Sequence, residues 1–144
     1  MPRRELLRQS LGLVGVAPLC CFTPEVPPDC ISYEGSTLII DLTRASLLRP
    51  VGAAAAVVDS RRSLNIIVAH TDRRHFVALD RTCTHGGAQC AYIHRSRTLR
   101  CTSLNHAEYD LNGTLLHGRT HGNLRAYRTR SRGPRLEIEL EKKA

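Results

Sequence analysis

The sequence predicts an all-β domain, folded as a small antiparallel β sandwich or barrel. Short runs of β-branched and aliphatic residues recur at regular spacing along the chain, separated by polar turns. The run Leu136–Glu141 alternates strictly between apolar and charged residues, as a half-buried strand does. Only Thr43–Leu48 has the composition of a short helical turn. Because the strands do not alternate with helices, the pattern favours an antiparallel sheet over a parallel one.

Residues 1–29 form the first predicted segment, a signal or anchor followed by a linker. Arg3 and Arg4 resemble a twin-arginine export motif, and an apolar run follows at residues 11–22. At about 1.5 Å per residue, this run is too short to cross a hydrocarbon core of about 30 Å as a helix. A stiff, proline-containing stretch then follows at residues 24–28.

This N-terminal segment predicts an extracytoplasmic protein, located in the periplasm or associated with the outer side of the inner membrane. Whether the segment is removed, lipidated or kept as a weak anchor is open. An ordinary amphipathic first helix is the alternative interpretation.

Residues 30–144 form the second predicted unit, a single β domain with one small core. A polar turn at Asp72–Arg74 joins two of its strands in a hairpin. The predicted strands are Ser36–Asp41, Ala53–Val58, Leu64–Ala69, His75–Leu79 and Leu136–Glu141. In such a domain, the loops between strands are the expected place for a functional site.

Two of these loops carry cysteine together with histidine. Cys83 and His85 lie in the first loop, and Cys101 and His106 lie in the second. A cysteine and a histidine from each loop form a set that suits either zinc or a two-iron cluster. Since a single residue between Cys83 and His85 makes a cramped chelate for one zinc ion, the two-iron cluster is the favoured interpretation.

The two loops resemble those of the Rieske [2Fe–2S] proteins. Cys83–Ala88 follows the family's first loop, Cys-Thr-His-Leu-Gly-Cys, and Ala107–Gly113 echoes the aromatic residue, aspartate and glycine at the end of its second loop. The predicted hairpin that leads into Cys83 also matches. The resemblance extends over about residues 36 to 140, and it implies a Rieske-like domain with a cluster-binding subdomain of two loops.

The resemblance implies a [2Fe–2S] cofactor bound by Cys83, His85, Cys101 and His106, with the Tyr109 hydroxyl donating to a cysteine sulfur. Such a protein transfers one electron at a time, at a potential of about −150 to +300 mV. The resemblance further implies an exported electron-transfer subunit of a quinol:cytochrome reductase or a related oxidoreductase, rather than a stand-alone enzyme. Its expected partners are a cytochrome or an oxidoreductase subunit, quinol, and the membrane.

Two other functions are compatible with the sequence. One is a cluster-free binding module with a Rieske-like fold, and the other is a cytoplasmic ferredoxin that serves an oxygenase. The first is kept open by the second loop, because the family places its second histidine three residues after the cysteine, whereas His106 lies five residues after Cys101. Counted back from Tyr109, Asn105 occupies the position four residues earlier, where the family's histidine is expected. Because asparagine is a poor iron ligand beside imidazole, His106 is the predicted ligand.

The surroundings of the predicted cluster also depart from the family. Ala88 and Ser103 replace the cysteines that join the two loops by a disulfide in high-potential members, and Ala107 replaces a serine that donates to a bridging sulfide. The lost donor favours a potential in the lower or middle part of the Rieske range, although greater exposure to water opposes this effect. Cys90 is predicted to be either a buried thiol or a disulfide partner of Cys30.

Two further histidines, His117 and His121, lie where quinol-oxidising members of the family carry a loop over the cluster. They are predicted to be surface imidazoles. The alternative roles are a spare ligand and a proton acceptor.

The charge of the chain limits its partners. The formal net charge is +8, and arginines are concentrated at residues 125–135. Nucleic-acid binding is disfavoured because aromatic residues make up only 4% of the chain and no recognition helix is predicted. A basic surface that docks an acidic protein partner stays open.

Overall fold

The computed structural model describes residues 22–84, 87–103, 107–119 and 122–141, and these residues form two antiparallel sheets. In chain order the strands are β1 (Ile31–Glu34), β2 (Thr37–Asp41), β3 (Ala54–Asp59), β4 (Leu64–Asp72), β5 (His75–Asp80), β6 (Cys90–Ile93), β7 (Thr98–Cys101), β8 (Glu108–Tyr109), β9 (Leu115–His117), β10 (Ala126–Arg132) and β11 (Arg135–Glu139). Short 3₁₀ turns lie at Pro28–Cys30, Ser46–Leu48 and Ser60–Arg62. The architecture confirms the all-β, antiparallel fold class predicted from the sequence.

The strand order defines a large sheet, β1-β2-β11-β10-β5-β4-β3, and a small sheet, β6-β7-β8-β9. Each of the five predicted strands is present, with ends that differ from the prediction by at most three residues. The helical turn expected at Thr43–Leu48 corresponds to the 3₁₀ turn at Ser46–Leu48. Because β11 pairs with both β2 and β10, this last strand of the chain joins the β1–β2 hairpin to the central strands of the large sheet.

Strand β4 lies between two hydrophobic cores, and for this reason nearly all of its residues are buried. Ile66 and Val68 belong to the first core, which is formed mainly by the large sheet, whereas Ile67 belongs to the second core. Successive side chains of a strand project to opposite faces, so this alternation shows that both faces of β4 are covered. Each fully buried aliphatic side chain contributes about 1.5–3 kcal/mol to stability.

The small sheet is inserted in the chain between two neighbouring strands of the large sheet. Strands β5 and β10 are direct neighbours, with Ala126 opposite Leu79, and the Asp80 amide donates to the Arg125 carbonyl oxygen at 2.8 Å. The described residues between these two strands therefore leave the large sheet, form β6 to β9 and return. The second core lies between the two sheets, and its buried residues are Ile67, Leu79, Cys83, Cys90, Leu99, Cys101, Ala107, Tyr109 and Leu124.

Residues 24–26, in the predicted linker, run beside β3. The Val26 amide donates to the Ala56 carbonyl oxygen and the Ala56 amide donates to that of Pro24, both at 2.8 Å. The Val26 side chain is buried in the first core, so this part of the linker packs on the β domain. Residues 1–21, which include the predicted export segment, lie outside the described residues. In the ranges that are described, no helix is long and apolar enough to cross a membrane.

Candidate functional site

The first cysteine loop leaves the end of β5 and is closed by backbone hydrogen bonds. The Cys83 amide donates to the Ala88 carbonyl oxygen and the Cys90 amide donates to that of Arg81, both at 2.7 Å. Gly87, which lies in the loop between Cys83 and Cys90, has a φ of +79°, a conformation that favours glycine. These contacts fix the backbone on both sides of the loop, and the Cys83 side chain enters the second core.

The second cysteine loop is closed in the same way and is hydrogen bonded to the first. The amide of Cys101, the last residue of β7, donates to the Ala107 carbonyl oxygen at 2.7 Å. The next residue, Thr102, donates twice to the Gln89 carbonyl oxygen, from its amide at 3.0 Å and from its hydroxyl at 2.9 Å. The described parts of both loops are thus held together at the end of the small sheet.

The two loop cysteines are buried, and each has a hydroxyl group beside its sulfur. The exposed fraction is 3% for Cys83 and 1% for Cys101. The hydroxyl of Tyr109, which is fully buried, lies 3.4 Å from Cys83 Sγ and 3.0 Å from Thr84 Oγ1. The Ser103 hydroxyl lies 3.1 Å from Cys101 Sγ. A hydroxyl so placed can donate to a thiolate sulfur and stabilise its negative charge.

Three of the five residues predicted to form the site therefore lie together in the second core, namely Cys83, Cys101 and Tyr109. The two predicted histidine ligands, His85 and His106, lie outside the described residues. Within the part of the chain that the structure describes, no group of three or more cysteine, histidine or acidic side chains is arranged to hold a metal ion. The set of four ligands stays a prediction.

Cys90 is a buried thiol, the first of the two states expected for it. Pairing with Cys30 is excluded because Cys30 belongs to the first core and Cys90 to the second. Burial raises the pKa of the Cys90 thiol, and the neighbouring Cys83 and Cys101 raise it further. Three cysteine side chains thus lie close together on the inner side of the small sheet.

Ser103 is the residue near the site that the sequence interpretation missed, since it was read only as a lost disulfide position. A hydroxyl two residues after a loop cysteine is the signal that could have identified it. Ala107, read as a lost hydrogen-bond donor, is fully buried, and a Cβ on Gly118 would approach its Cα to 2.7 Å. Because Ala107 is packed so closely, a serine there would alter packing as well as hydrogen bonding.

A carboxylate lies beside the site on β8. The Thr98 hydroxyl donates to Glu108 at 2.7 Å and holds the pKa of this carboxyl below its usual range, with Arg100 adding to the effect from 3.4 Å. Glu108 is therefore ionised at neutral pH. Its cross-strand partner His117 is exposed on β9, in agreement with a surface imidazole, whereas His121 lies outside the described residues.

Comparison with known proteins identifies the fold. No protein-family model matches the sequence, and no curated protein matches it. Among solved structures, the ferredoxin of carbazole 1,9a-dioxygenase from Nocardioides aromaticivorans IC177 is 18% identical, with 72% of this chain and 95% of that chain covered and a TM-score of 0.57. The plasma membrane Rieske protein PetC3 from Synechocystis PCC 6803 is 24% identical, with 51% and 75% covered and a TM-score of 0.45.

Identities of this size bear on the fold and not on the function. The ferredoxin is matched over nearly its whole length. The match agrees with the two-sheet architecture, in which two cysteine loops meet at the end of the smaller sheet. This chain therefore has a Rieske-like fold, as the resemblance of its loops implied.

Proposed function

We propose that this chain transfers single electrons through a [2Fe–2S] cluster held by Cys83, His85, Cys101 and His106. The observation that carries the proposal is the convergence of the Cys83 and Cys101 side chains, from two separate loops, in one buried core. Each loop contributes a cysteine that is followed by a histidine, which is the donor set of a mixed-ligand cluster.

The chemistry of the described residues fits such a cluster. A thiolate ligand carries negative charge, and the hydroxyl of Tyr109 or Ser103 lies close enough to each sulfur to donate to it. The bound cluster would supply a one-electron couple, with a potential above that of a four-cysteine cluster because two of its ligands are neutral imidazoles. The second core excludes water from the sulfur side of the site, since Leu99 and Tyr109 are fully buried beside the cysteines.

The two hydroxyl groups have separate roles on the two sulfurs. With both sulfurs as thiolates, Tyr109, whose hydroxyl also contacts Thr84, would donate to Cys83, and Ser103, on the loop of Cys101, would donate to that sulfur. Donation to sulfur stabilises the additional electron of the reduced state, so both residues raise the potential. The potential expected from the sequence, which counted only one hydroxyl donor, is therefore revised upward within the Rieske range.

The Tyr109→Phe and Ser103→Ala variants are each expected to lower the potential by about 60 mV or somewhat more. A hydrogen bond to a charged group contributes about 1.5–3 kcal/mol, and about 1.4 kcal/mol corresponds to about 59 mV for a single electron. Protein-film voltammetry measures the shift. The control is Tyr92→Phe, because the Tyr92 ring packs against the second core while its hydroxyl contacts His94 at 2.9 Å rather than a cysteine sulfur. Shifts no larger than that of the control would contradict the assigned roles.

We also propose that the chain acts outside the cytoplasm as a subunit of a quinol:cytochrome reductase or related oxidoreductase, and passes electrons to a cytochrome or another subunit. The support is the Arg3-Arg4 pair ahead of an apolar run, since the twin-arginine pathway exports folded, cofactor-loaded proteins. Loss of export on changing both arginines to lysine, measured by cell fractionation, would agree with this location.

The experiment that tests the proposed function directly is chemical analysis and voltammetry of the purified protein. Two iron atoms and two sulfides per chain are expected, the composition of a [2Fe–2S] cluster, with one reversible single-electron wave. A protein that folds with native stability but takes up no iron and shows no such wave would support the cluster-free module instead.

A further inference from the structure

A third thiol lies directly opposite one of the two proposed cysteine ligands. Cys90 on β6 and Cys101 on β7 are cross-strand partners in the small sheet. Both are 1% exposed and belong to the second core, so their side chains project from the same face. We propose that Cys90 and Cys101 form a disulfide when the cluster is absent, and that this bond reversibly removes Cys101 from the set of ligands.

The hydrogen bonds around the pair show that its geometry suits a disulfide. The Cys90 amide donates to Arg81 and the Cys101 amide donates to Ala107, so neither is used between the two cysteines. They therefore form a non-hydrogen-bonded antiparallel pair, for which the Cα atoms are about 4.5 Å apart. Disulfides span Cα separations of about 4.4–6.8 Å, so the backbone need not move far for the bond to form.

Cys83 also lies beside Cys90, with a hydrogen bond between the two side chains, but its backbone is less well placed for a disulfide. The bridge between Thr82 and Gln89 places Cys83 opposite Ala88, so Cys83 and Cys90 are diagonal neighbours. Diagonal neighbours on one face of a sheet are about 7–8 Å apart, and cysteines beyond about 7 Å cannot be joined without backbone movement. The Cα separations thus favour Cys101 over Cys83 as the disulfide partner of Cys90.

The oxidant in this reaction is hydrogen peroxide, a molecule small enough to reach buried thiols during the local opening that folded proteins undergo. The Cys101 thiolate attacks hydrogen peroxide, which forms a sulfenic acid and releases hydroxide. The hydroxide takes up the proton that Cys101 lost on ionisation and becomes the first water. The Cys90 sulfur then displaces the sulfenic oxygen, which leaves with the Cys90 proton as the second water while the sulfur–sulfur bond forms. In total, two thiols and one peroxide give one disulfide and two waters.

The disulfide would protect a cysteine that the protein needs. Without Cys90, the sulfenic acid on Cys101 has only Cys83, the other proposed ligand, as a neighbouring thiol; it either bonds to Cys83 or proceeds with further peroxide to sulfinic acid, which thiol reductants do not reverse. With Cys90, the oxidised state is a disulfide that a dithiol reduces. The value of this protection rests on the proposed function, whereas the disulfide itself can be tested without iron.

The test uses the full chain after removal of iron by a chelator, reduction of all thiols and exposure to hydrogen peroxide. Peptide mapping by mass spectrometry is expected to show Cys90 linked to Cys101, with the intact mass lower by two hydrogen atoms. In the Cys90→Ala variant, this link is absent, and Cys101 is expected either to gain oxygen atoms or to be linked to Cys83. The matched control Cys30→Ala, which removes a buried cysteine from the other core, should form the same disulfide as the unmodified chain.

In the unmodified chain, a dominant link from Cys83 to either Cys90 or Cys101 would overturn the proposal, as would sulfinic acid on Cys101 at the level seen in Cys90→Ala. The second readout is cluster loading after peroxide and then dithiol, which should recover more fully in the unmodified chain than in Cys90→Ala, because any sulfinic acid formed on Cys101 in the variant is not reduced. If the chain never binds iron, the proposed function fails while the mapped disulfide stands. If it binds iron but the mapped link is absent, only the disulfide proposal fails.

Discussion

Replacement of Cys101 by alanine is expected to abolish iron binding, whereas the same replacement at Cys30 leaves the iron content unchanged. Both cysteines are buried, so the two variants lose a similar amount of packing. Of these two cysteines, Cys101 lies in the second core beside Cys83 and the hydroxyl of Ser103, whereas Cys30 lies in the first core. Iron per chain, measured on protein purified under identical conditions, reports the difference.

The same experiment includes variants that lack Cys90, because the Cys90 thiol lies opposite Cys101 and could replace Cys101 as a ligand. The Cys90→Ala variant alone should bind iron normally, and the Cys90→Ala/Cys101→Ala variant should bind none. Full iron content in the double variant would show that Cys101 is not a ligand.

Gly113→Ala is expected to destabilise the fold by about 3 kcal/mol. Gly113 has a φ of +84° in the turn that follows Tyr109, and an added Cβ would overlap the carbonyl oxygen of Leu124. The left-handed conformation costs an alanine about 1–2 kcal/mol, and overpacking against backbone adds about 1–3 kcal/mol. Urea unfolding followed by circular dichroism measures the loss.

The matched control is Gly133→Ala in the turn between β10 and β11. Gly133 has a φ of +57°, but an added Cβ there would meet no atom within 4 Å. Only the conformational cost of about 1–2 kcal/mol is expected. Equal losses in the two variants would mean that Gly113 is not packed against Leu124 as described.

The sequence predicted the strands that have a strong local pattern and missed those that do not. The runs that became β2, β4 and β11 are long and apolar or strictly alternating, so their burial can be read from the residues alone. Strands β6 to β9 have only two to four residues each, and they are held by pairing with one another rather than by local preference. The resemblance of the loops, and not the periodicity, indicated this subdomain.

Some features of the candidate site were likewise predictable from the sequence, and others were not. Cys83, Cys101 and Tyr109 were identified from motif spacing, and the structure places their side chains in one core. The contact of Ser103 with Cys101 and the pairing of Cys90 with Cys101 depend on the register between β6 and β7 and on the path of the second loop. Neither the register nor the path follows from local sequence, because both are set by contacts between segments that are distant along the chain.

The [2Fe–2S] cluster proposed for this chain has a mixed set of cysteine and histidine ligands. Pulsed electron paramagnetic resonance on the reduced protein tests it most directly, because nitrogen bound to iron produces resolved hyperfine couplings. Two strongly coupled imidazole nitrogens are expected in the unmodified chain and in Asn105→Ala, whereas His106→Ala should lose the cluster. A cluster without coupled nitrogen, or one that survives His106→Ala but not Asn105→Ala, would contradict the assigned ligands.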